Sequence, residues 1–192
     1  MNTSEMTPQE SLNIISEAIR SSRGKLEKNS SAPLIFWGIA VSVFTLIIWS
    51  LWHYTGKPQW NLLWFVFSPA LSIVQHFTLD KKLEKCKGFI NDVLGYVWIS
   101  FGVFAISAAI LGLCGIIQDI TLSILLMMGF AATISGLVVK NPWMTAGGLL
   151  SGLGLAVALK FVSGPETILL LIPASIFTLL LPGLYLKFKM NK

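Results

Sequence analysis

Charged residues are scarce in this chain, since Asp, Glu, Lys and Arg make up only 12% of its 192 residues. An average soluble domain carries about twice that share of charge. Because 54% of the residues are hydrophobic and the mean hydropathy is +0.73, too few polar side chains remain to cover the surface of a soluble globule. The composition therefore excludes an ordinary soluble domain and indicates an integral membrane protein.

Ionisable side chains are missing from the middle of the apolar runs. Ion-coupled carriers and proton pumps place such groups inside the membrane, so their absence speaks against a proton-coupled transporter. The chain also has only two histidines and two cysteines, and it contains no HExxH, GxSxG or CxxC motif. We therefore expect no enzymatic activity, no catalytic residue, no metal site and no cofactor.

Long apolar runs are what the sequence has in abundance. A helix needs roughly 20 apolar residues to cross a ~30 Å hydrocarbon core, and the short alternating strands of a membrane barrel are not visible. We predict an all-α integral membrane protein with a bundle of six transmembrane helices over residues 33–187, preceded by an N-terminal segment over residues 1–30. The predicted spans are 34–51, 62–79, 93–114, 120–139, 143–162 and 167–186.

Basic residues concentrate on one side of these predicted spans. They lie before the first helix, between the second and third, between the fourth and fifth, and after the sixth. Because Lys and Arg accumulate in cytoplasmic loops, we predict a multi-pass protein of the bacterial inner membrane with both termini in the cytoplasm. The net charge of +5 follows from this distribution, so we expect the lipid bilayer and not nucleic acid as the partner of the basic residues.

The N-terminal segment TPQESLNIISEAIRSSRGKL predicts a cytoplasmic amphipathic helix. Leu12, Ile15 and Ile19 share one face at helical spacing, and Gly24 is the predicted C-terminal stop. Three uses of this apolar face are open: it could lie on the inner membrane surface, pack under the helical bundle, or bind a cytoplasmic or membrane protein through residues 7–23. Amphipathicity alone does not choose among them.

The stretch TAGGLLSGLGLAVALK, from Thr145 to Lys160, is rich in glycine. It does not fit a nucleotide loop, because Val157 replaces the third glycine of the dinucleotide fingerprint and Leu153 replaces the lysine of a P-loop. Small residues at helical spacing instead let neighbouring backbones approach closely. We predict that the fifth helix is the central packing helix, with its leucine-rich side towards lipid. Its predicted contact residues are Gly147, Gly148, Ser151, Gly152, Gly154, Ala156 and Ala158.

Three short motifs carry a resemblance to a known group. They are ESLNIISEAI near the start, FWG at positions 36–38 and LPGLYLK at positions 181–187. With them the chain resembles a group of small, poorly characterised inner-membrane proteins of Bacteroidetes-type bacteria. The resemblance implies a six-helix protein with a cytoplasmic N-terminal helix, and it brings no activity and no functional residue with it.

The short loops, the uncharged membrane interior and the N-terminal helix together predict a non-enzymatic membrane subunit with an interaction or regulatory role. The alternative is a small-solute transporter or channel, as a monomer or a homo-oligomer, which the glycine-rich and proline-containing helices would suit. Recovery of a partner through the N-terminal helix favours the first reading. Solute flux into liposomes favours the second.

Overall fold

The structure is a computed structural model that describes residues 8–80 and 89–190. Every regular element in these ranges is helical, and six helical stretches are long and apolar enough to cross a membrane. The predicted helical class and the predicted number of long apolar helices are therefore confirmed. The six stretches are Ser31–Thr55, Pro58–Leu79, Asp92–Leu113, Ile120–Val139, Pro142–Phe161 and Gly164–Phe188.

The first helix, α1, runs without a break from Pro8 to Thr55 over 48 residues. Gly24 lies inside it, so the predicted stop at this residue is wrong. Glycine ends a helix when it adopts the left-handed conformation at the C-terminus, whereas the Lys-Leu-Glu-Lys sequence after Gly24 consists of strong helix formers. The N-terminal segment and the first apolar stretch consequently form one helix. We call its first part, residues 8–30, the stalk.

The second and third helices are α2 (58–80) and α3 (Phe89–Leu113). α2 begins with the 3₁₀ segment Pro58–Leu63, earlier than the predicted residue 62, because proline suits the first position of a helix. It continues as an α-helix and ends in a π-helical turn. After α3, Gly115 turns the chain in the left-handed conformation, with φ 74°.

A tight hairpin joins α4 (Ile120–Val139) to α5 (Pro142–Phe161). Lys140 ends α4 in the left-handed conformation, with φ 55°. The Asn141 side chain then accepts hydrogen bonds from the backbone N–H groups of Trp143 at 3.1 Å and Met144 at 3.4 Å. With Pro142 at the first helical position, this is a complete N-terminal cap, so α5 starts at a defined point.

Both α5 and α6 (164–190) change their winding along their length. α5 has a π-helical segment at Leu150–Gly154 and a final 3₁₀ turn. α6 begins as the 3₁₀ segment Gly164–Leu170 and contains the π-helical segment Ile176–Leu180, which lies between two prolines. Since proline lacks an N–H and its ring crowds the preceding turn, a regular α-helix cannot pass through it undisturbed.

Four helices form the core of the bundle and two lie at its edge. α6 packs along α1 and also contacts α4 and α5, while α4 packs between α5 and α3. The buried share of the apolar stretch is 44% in α4 and in α6, 28% in α1 and in α5, 6% in α3 and 0% in α2. The residues of the buried hydrophobic cluster come from α1, α4 and α6: Ile48, Leu125, Met128, Ile168, Leu171 and Ala174.

These values correct one prediction, because α4 and α6 are the central helices and α5 is not. The cause lies in the composition of α5 itself. Its leucine-rich side, including Leu149, Leu153 and Val157, is exposed, as the sequence predicted for that side. α5 packs against α4 and α6 through its small-residue side, so less of α5 is buried than of either neighbour.

Candidate functional site

Glycines on facing helices form the contact between α4 and α5, which we call the α4–α5 seam (Gly129, Gly136, Gly148 and Gly152). A Cβ atom added at Gly148 would lie 2.5 Å from the backbone nitrogen of Thr133, and one added at Gly136 would lie 2.5 Å from that of Thr145. A Cβ at Gly129 would collide with the backbone of Gly152. Because a helix backbone cannot retreat as a side chain can, this seam has no room for larger residues.

α5 makes a second close contact through the neighbouring glycine. A Cβ atom at Gly147 would collide with the backbone carbonyl oxygen of Phe177 in α6. Two adjacent glycines of α5 therefore face two different helices. This position between α4 and α6 explains why the sequence has a Gly-Gly pair here.

The remaining predicted contact residues of α5 divide at the π-helical segment. Ser151 is fully buried and its hydroxyl donates to the carbonyl of Gly148 at 3.1 Å. Gly154 is exposed, and a Cβ added there would meet only the side chain of Leu150 in its own helix, whereas Ala156 and Ala158 are half-buried. A π-helical turn holds an extra residue, so it rotates the following residues away from the face that an unbroken α-helix would present.

Two glycines that sequence reasoning did not select hold α1 against α6. A Cβ atom at Gly38 would lie 2.9 Å from the backbone nitrogen of Leu180, and one at Gly183 would lie 3.0 Å from that of Ile35. They belong to the FWG and LPGLYLK motifs. A signal was present in both motifs, since each places a glycine beside bulky residues inside an apolar helix, but the pairing of the first helix with the last is not readable from either motif alone.

Hydroxyl groups line the same α1–α6 contact. Ser42 and Ser175 share a hydrogen bond of 2.9 Å across the two helices. Ser175 is fully buried, as are Thr45 in α1 and Thr178 in α6. The interior of the bundle therefore contains neutral polar groups, which can hydrogen-bond but bring no charge with them.

At the other end of the α1–α6 contact, the side chains of His53 and Glu166 meet. His53 Nδ1 lies 3.2 Å from Glu166 Oε1, and both side chains are close to half exposed. Nearby, the indole N–H of Trp60 donates to Thr55 Oγ1 at 2.8 Å and so ties the start of α2 to the end of α1. A polar contact this exposed competes with solvent and contributes little to stability.

The stalk is the longest described helical segment that lies outside the six apolar stretches. Leu12 is 64% exposed and Ile14 is 52% exposed. The side chains of Ile15 and Ile19, which complete the predicted apolar face with Leu12, lie outside the described residues, as does residue 7 of the predicted partner segment. The described side chains thus include large apolar groups that the rest of the chain does not cover.

Among the described residues, no three His, Cys, Asp or Glu side chains come together in a group that could hold a metal ion. What the geometry offers is a set of close helix contacts, a neutral polar interior and a stalk whose described side chains are mostly exposed. No family model, no curated protein and no solved structure matches this chain.

Proposed function

We propose that this chain is a multi-pass membrane protein whose six long apolar helices all cross a bilayer. Their lengths and hydropathies support this, since each has at least the roughly 20 residues that a crossing needs. The exposed large hydrophobic side chains support it as well, because those of α2 and α3 would be covered by lipid. The bacterial inner membrane is the location that fits the predicted resemblance.

Both ends of the chain face the cytoplasm in this proposal. Six crossings return the chain to the side where it began, so the stalk, the α4–α5 turn and the end of α6 lie on the same side. Lys140 occupies that turn and Lys187 lies near the end of α6, both exposed. Basic residues on one side of the bundle are the pattern of cytoplasmic loops.

The protein acts, in this proposal, as an interaction or regulatory subunit and not as an enzyme. The observation that carries this is the continuity of α1, which passes unbroken from the stalk into the core contact with α6. At 1.5 Å per residue the stalk reaches roughly 35 Å beyond the apolar stretch. A partner that binds the stalk would therefore hold the same helix that packs in the core.

The test places a photo-crosslinking amino acid at Ser16, one turn after Leu12 on the same helix face, in protein expressed in its native membrane. We expect an adduct with one protein of defined mass. Leu12→Glu should reduce that adduct about tenfold or more, because burying a leucine contributes about 1.5–3 kcal/mol to binding.

Asn13→Glu is the matched control, since it adds the same charge to an exposed position about a quarter-turn away and should leave the adduct intact. Adducts with lipid alone would contradict the proposal and would show that the stalk lies on the membrane surface. An equal loss of the adduct in Leu12→Glu and Asn13→Glu would also contradict the proposal, because the loss would then come from the added charge and not from a specific helix face.

A second candidate function is a small-solute transporter or channel, alone or as a homo-oligomer. The observation that favours it is the pair of π-helical segments in the neighbouring helices α5 and α6, which contain the buried Ser151 and Thr178. Such segments are frequent where helices move or bind ligands. Flux of a neutral solute into liposomes that contain the purified protein, abolished by Thr178→Val and retained by Thr178→Ser, would establish this function in place of the first.

A further inference from the structure

Three buried polar atoms in the described part of the chain have no hydrogen-bond partner: Thr45 Oγ1, Trp49 Nε1 and Ser135 Oγ. Thr45 and Ser135 are 0% exposed as whole residues. An unpaired polar atom is destabilising when it is buried, and native structures nearly always supply it with a protein group or an ordered water molecule. Two of the three atoms belong to residues four positions apart on α1.

Other hydroxyls in these helices are satisfied by their own backbone. Ser42 donates to the carbonyl of Gly38 at 2.8 Å, Thr133 to that of Gly129 at 2.7 Å, and Thr178 to that of Ala174 at 2.7 Å. This bond to the preceding turn is the ordinary solution for a hydroxyl inside a helix. Thr45 does not make it, so its hydroxyl remains available to another group.

Thr45 and Trp49 lie on the face of α1 that packs against α6. Successive contacts between these antiparallel helices join Gly38 to Leu180, Ser42 to Ser175 and His53 to Glu166. Thr45 follows Ser42 by three positions and Trp49 follows Thr45 by four. Residues at these spacings share one helix face, so Thr45 and Trp49 belong to the same contact, between the serine pair and the contact of His53 with Glu166.

We propose that Thr45 and Trp49 hold an ordered water molecule within the α1–α6 contact. The indole N–H can only donate, so the bound molecule must accept a hydrogen bond from Trp49, and the threonine hydroxyl can then accept or donate. Water does both and is neutral. Ordered waters in protein interiors typically occupy such positions, where they satisfy polar groups that the protein leaves unpaired.

Charged ligands fit this pair of groups poorly. A metal cation has no acceptor to offer the indole N–H. An anion would be buried beside two neutral groups with no balancing positive charge, which is strongly unfavourable. The carboxylate of Glu166 already has His53 as its partner, so it does not change this conclusion. The site therefore belongs to water, whether or not a protein partner binds the stalk.

Nuclear magnetic resonance of the full chain in lipid nanodiscs tests the proposal directly. With ¹⁵N-labelled tryptophan, the indole proton of Trp49, identified by its loss in Trp49→Phe, should show a cross-peak to a long-lived water molecule. Trp37 is the internal control, because its indole N–H donates to Gln75 Oε1 and should show no such cross-peak. A Trp49 indole proton that has no water cross-peak, with the shift of an unbonded N–H, would overturn the proposal.

Two substitutions test whether Thr45 itself holds the water molecule. Thr45→Val keeps the shape of the side chain but removes the hydroxyl, so the Trp49 water cross-peak should fall at least severalfold while the Trp37 signal stays unchanged. Thr45→Ser keeps a hydroxyl and should retain the cross-peak, even if the valine variant does not fold. An unchanged cross-peak in a folded Thr45→Val protein, or its loss in Thr45→Ser, would show that Thr45 does not hold the water.

Discussion

α3 and α4 are alike as sequences and unlike as parts of the bundle. Their apolar stretches have hydropathies of 2.0 and 2.2, yet 6% of the first and 44% of the second is buried. Each contains two glycines seven positions apart, Gly95 and Gly102 in α3, Gly129 and Gly136 in α4. A Cβ added to Gly95 or Gly102 would meet no other helix within 4 Å, whereas one added to either glycine of α4 would collide with α5.

The difference between them is made by the neighbouring helix. α5 offers Gly148 and Gly152 to α4, so small residues meet on both sides of the α4–α5 seam and the backbones come together. In lipid, hydrophobicity does not drive helices together, and close packing of this kind must do so. Spacing of glycines within one helix thus permits a contact, but a matching surface on a second helix is needed to form it.

The largest expected effect comes from filling the seam. Gly129→Leu should destabilise the protein by about 3 kcal/mol or more, because the new side chain meets backbone that cannot move aside. Unfolding by titration with sodium dodecyl sulfate, followed by tryptophan fluorescence, measures this change. Gly102→Leu is the matched control in α3 and should change stability by less than about 1 kcal/mol. Equal effects in α3 and α4 would contradict the difference between the two helices.

An intermediate effect is expected at the α1–α6 contact. Gly38→Ala adds a single methyl group within 3.0 Å of Leu180 and should cost about 1–3 kcal/mol in the same unfolding assay. Gly95→Ala adds the same methyl group to open space in α3. It should be neutral or stabilise the protein by up to about 1 kcal/mol, because alanine is the better helix former. Opposite signs for the two variants are the decisive result.

The smallest effect is expected from the hydrogen bond between Ser42 and Ser175. Removing the Ser175 hydroxyl as Ser175→Ala should cost about 0.6 kcal/mol, the average found for interhelical hydrogen bonds in membrane proteins. Ser107 is an exposed serine of α3 that bonds only to its own helix at the carbonyl of Val103, so Ser107→Ala should cost almost nothing. A double-mutant cycle with Ser42→Ala then isolates the coupling energy between the two hydroxyls. A coupling energy near zero would refute a stabilising hydrogen bond between them.

The sequence was sufficient to predict the six long helices and the exposed side of α5. Both follow from composition and helical spacing, which are local properties. It also pointed to Gly147, Gly148, Ser151 and Gly152, all of which are buried. These residues could be predicted because the helix has small residues on one side and large residues on the other. Few choices then remain for the side that packs.

The remaining features depend on distant parts of the chain. Gly38 and Gly183 are informative only once the first helix is known to lie against the last. The exposure of Gly154 follows from a π-helical segment that no spacing rule signals, and α1 continues through Gly24 because the residues after it sustain a helix. The position of α2 and α3 at the edge of the bundle likewise depends on what the other helices offer, which hydropathy does not record.

The short turn between α4 and α5 also has a consequence for the order of assembly. With Lys140 in the left-handed conformation and Asn141 capping α5, the two helices are held side by side as soon as both have been synthesised, and their glycines can meet at once. α1 is made first, yet its contact with Gly183 must wait for the last helix. During synthesis the chain therefore carries α1 without its partner, and the contact between the first helix and the last can form only after α6 has been made.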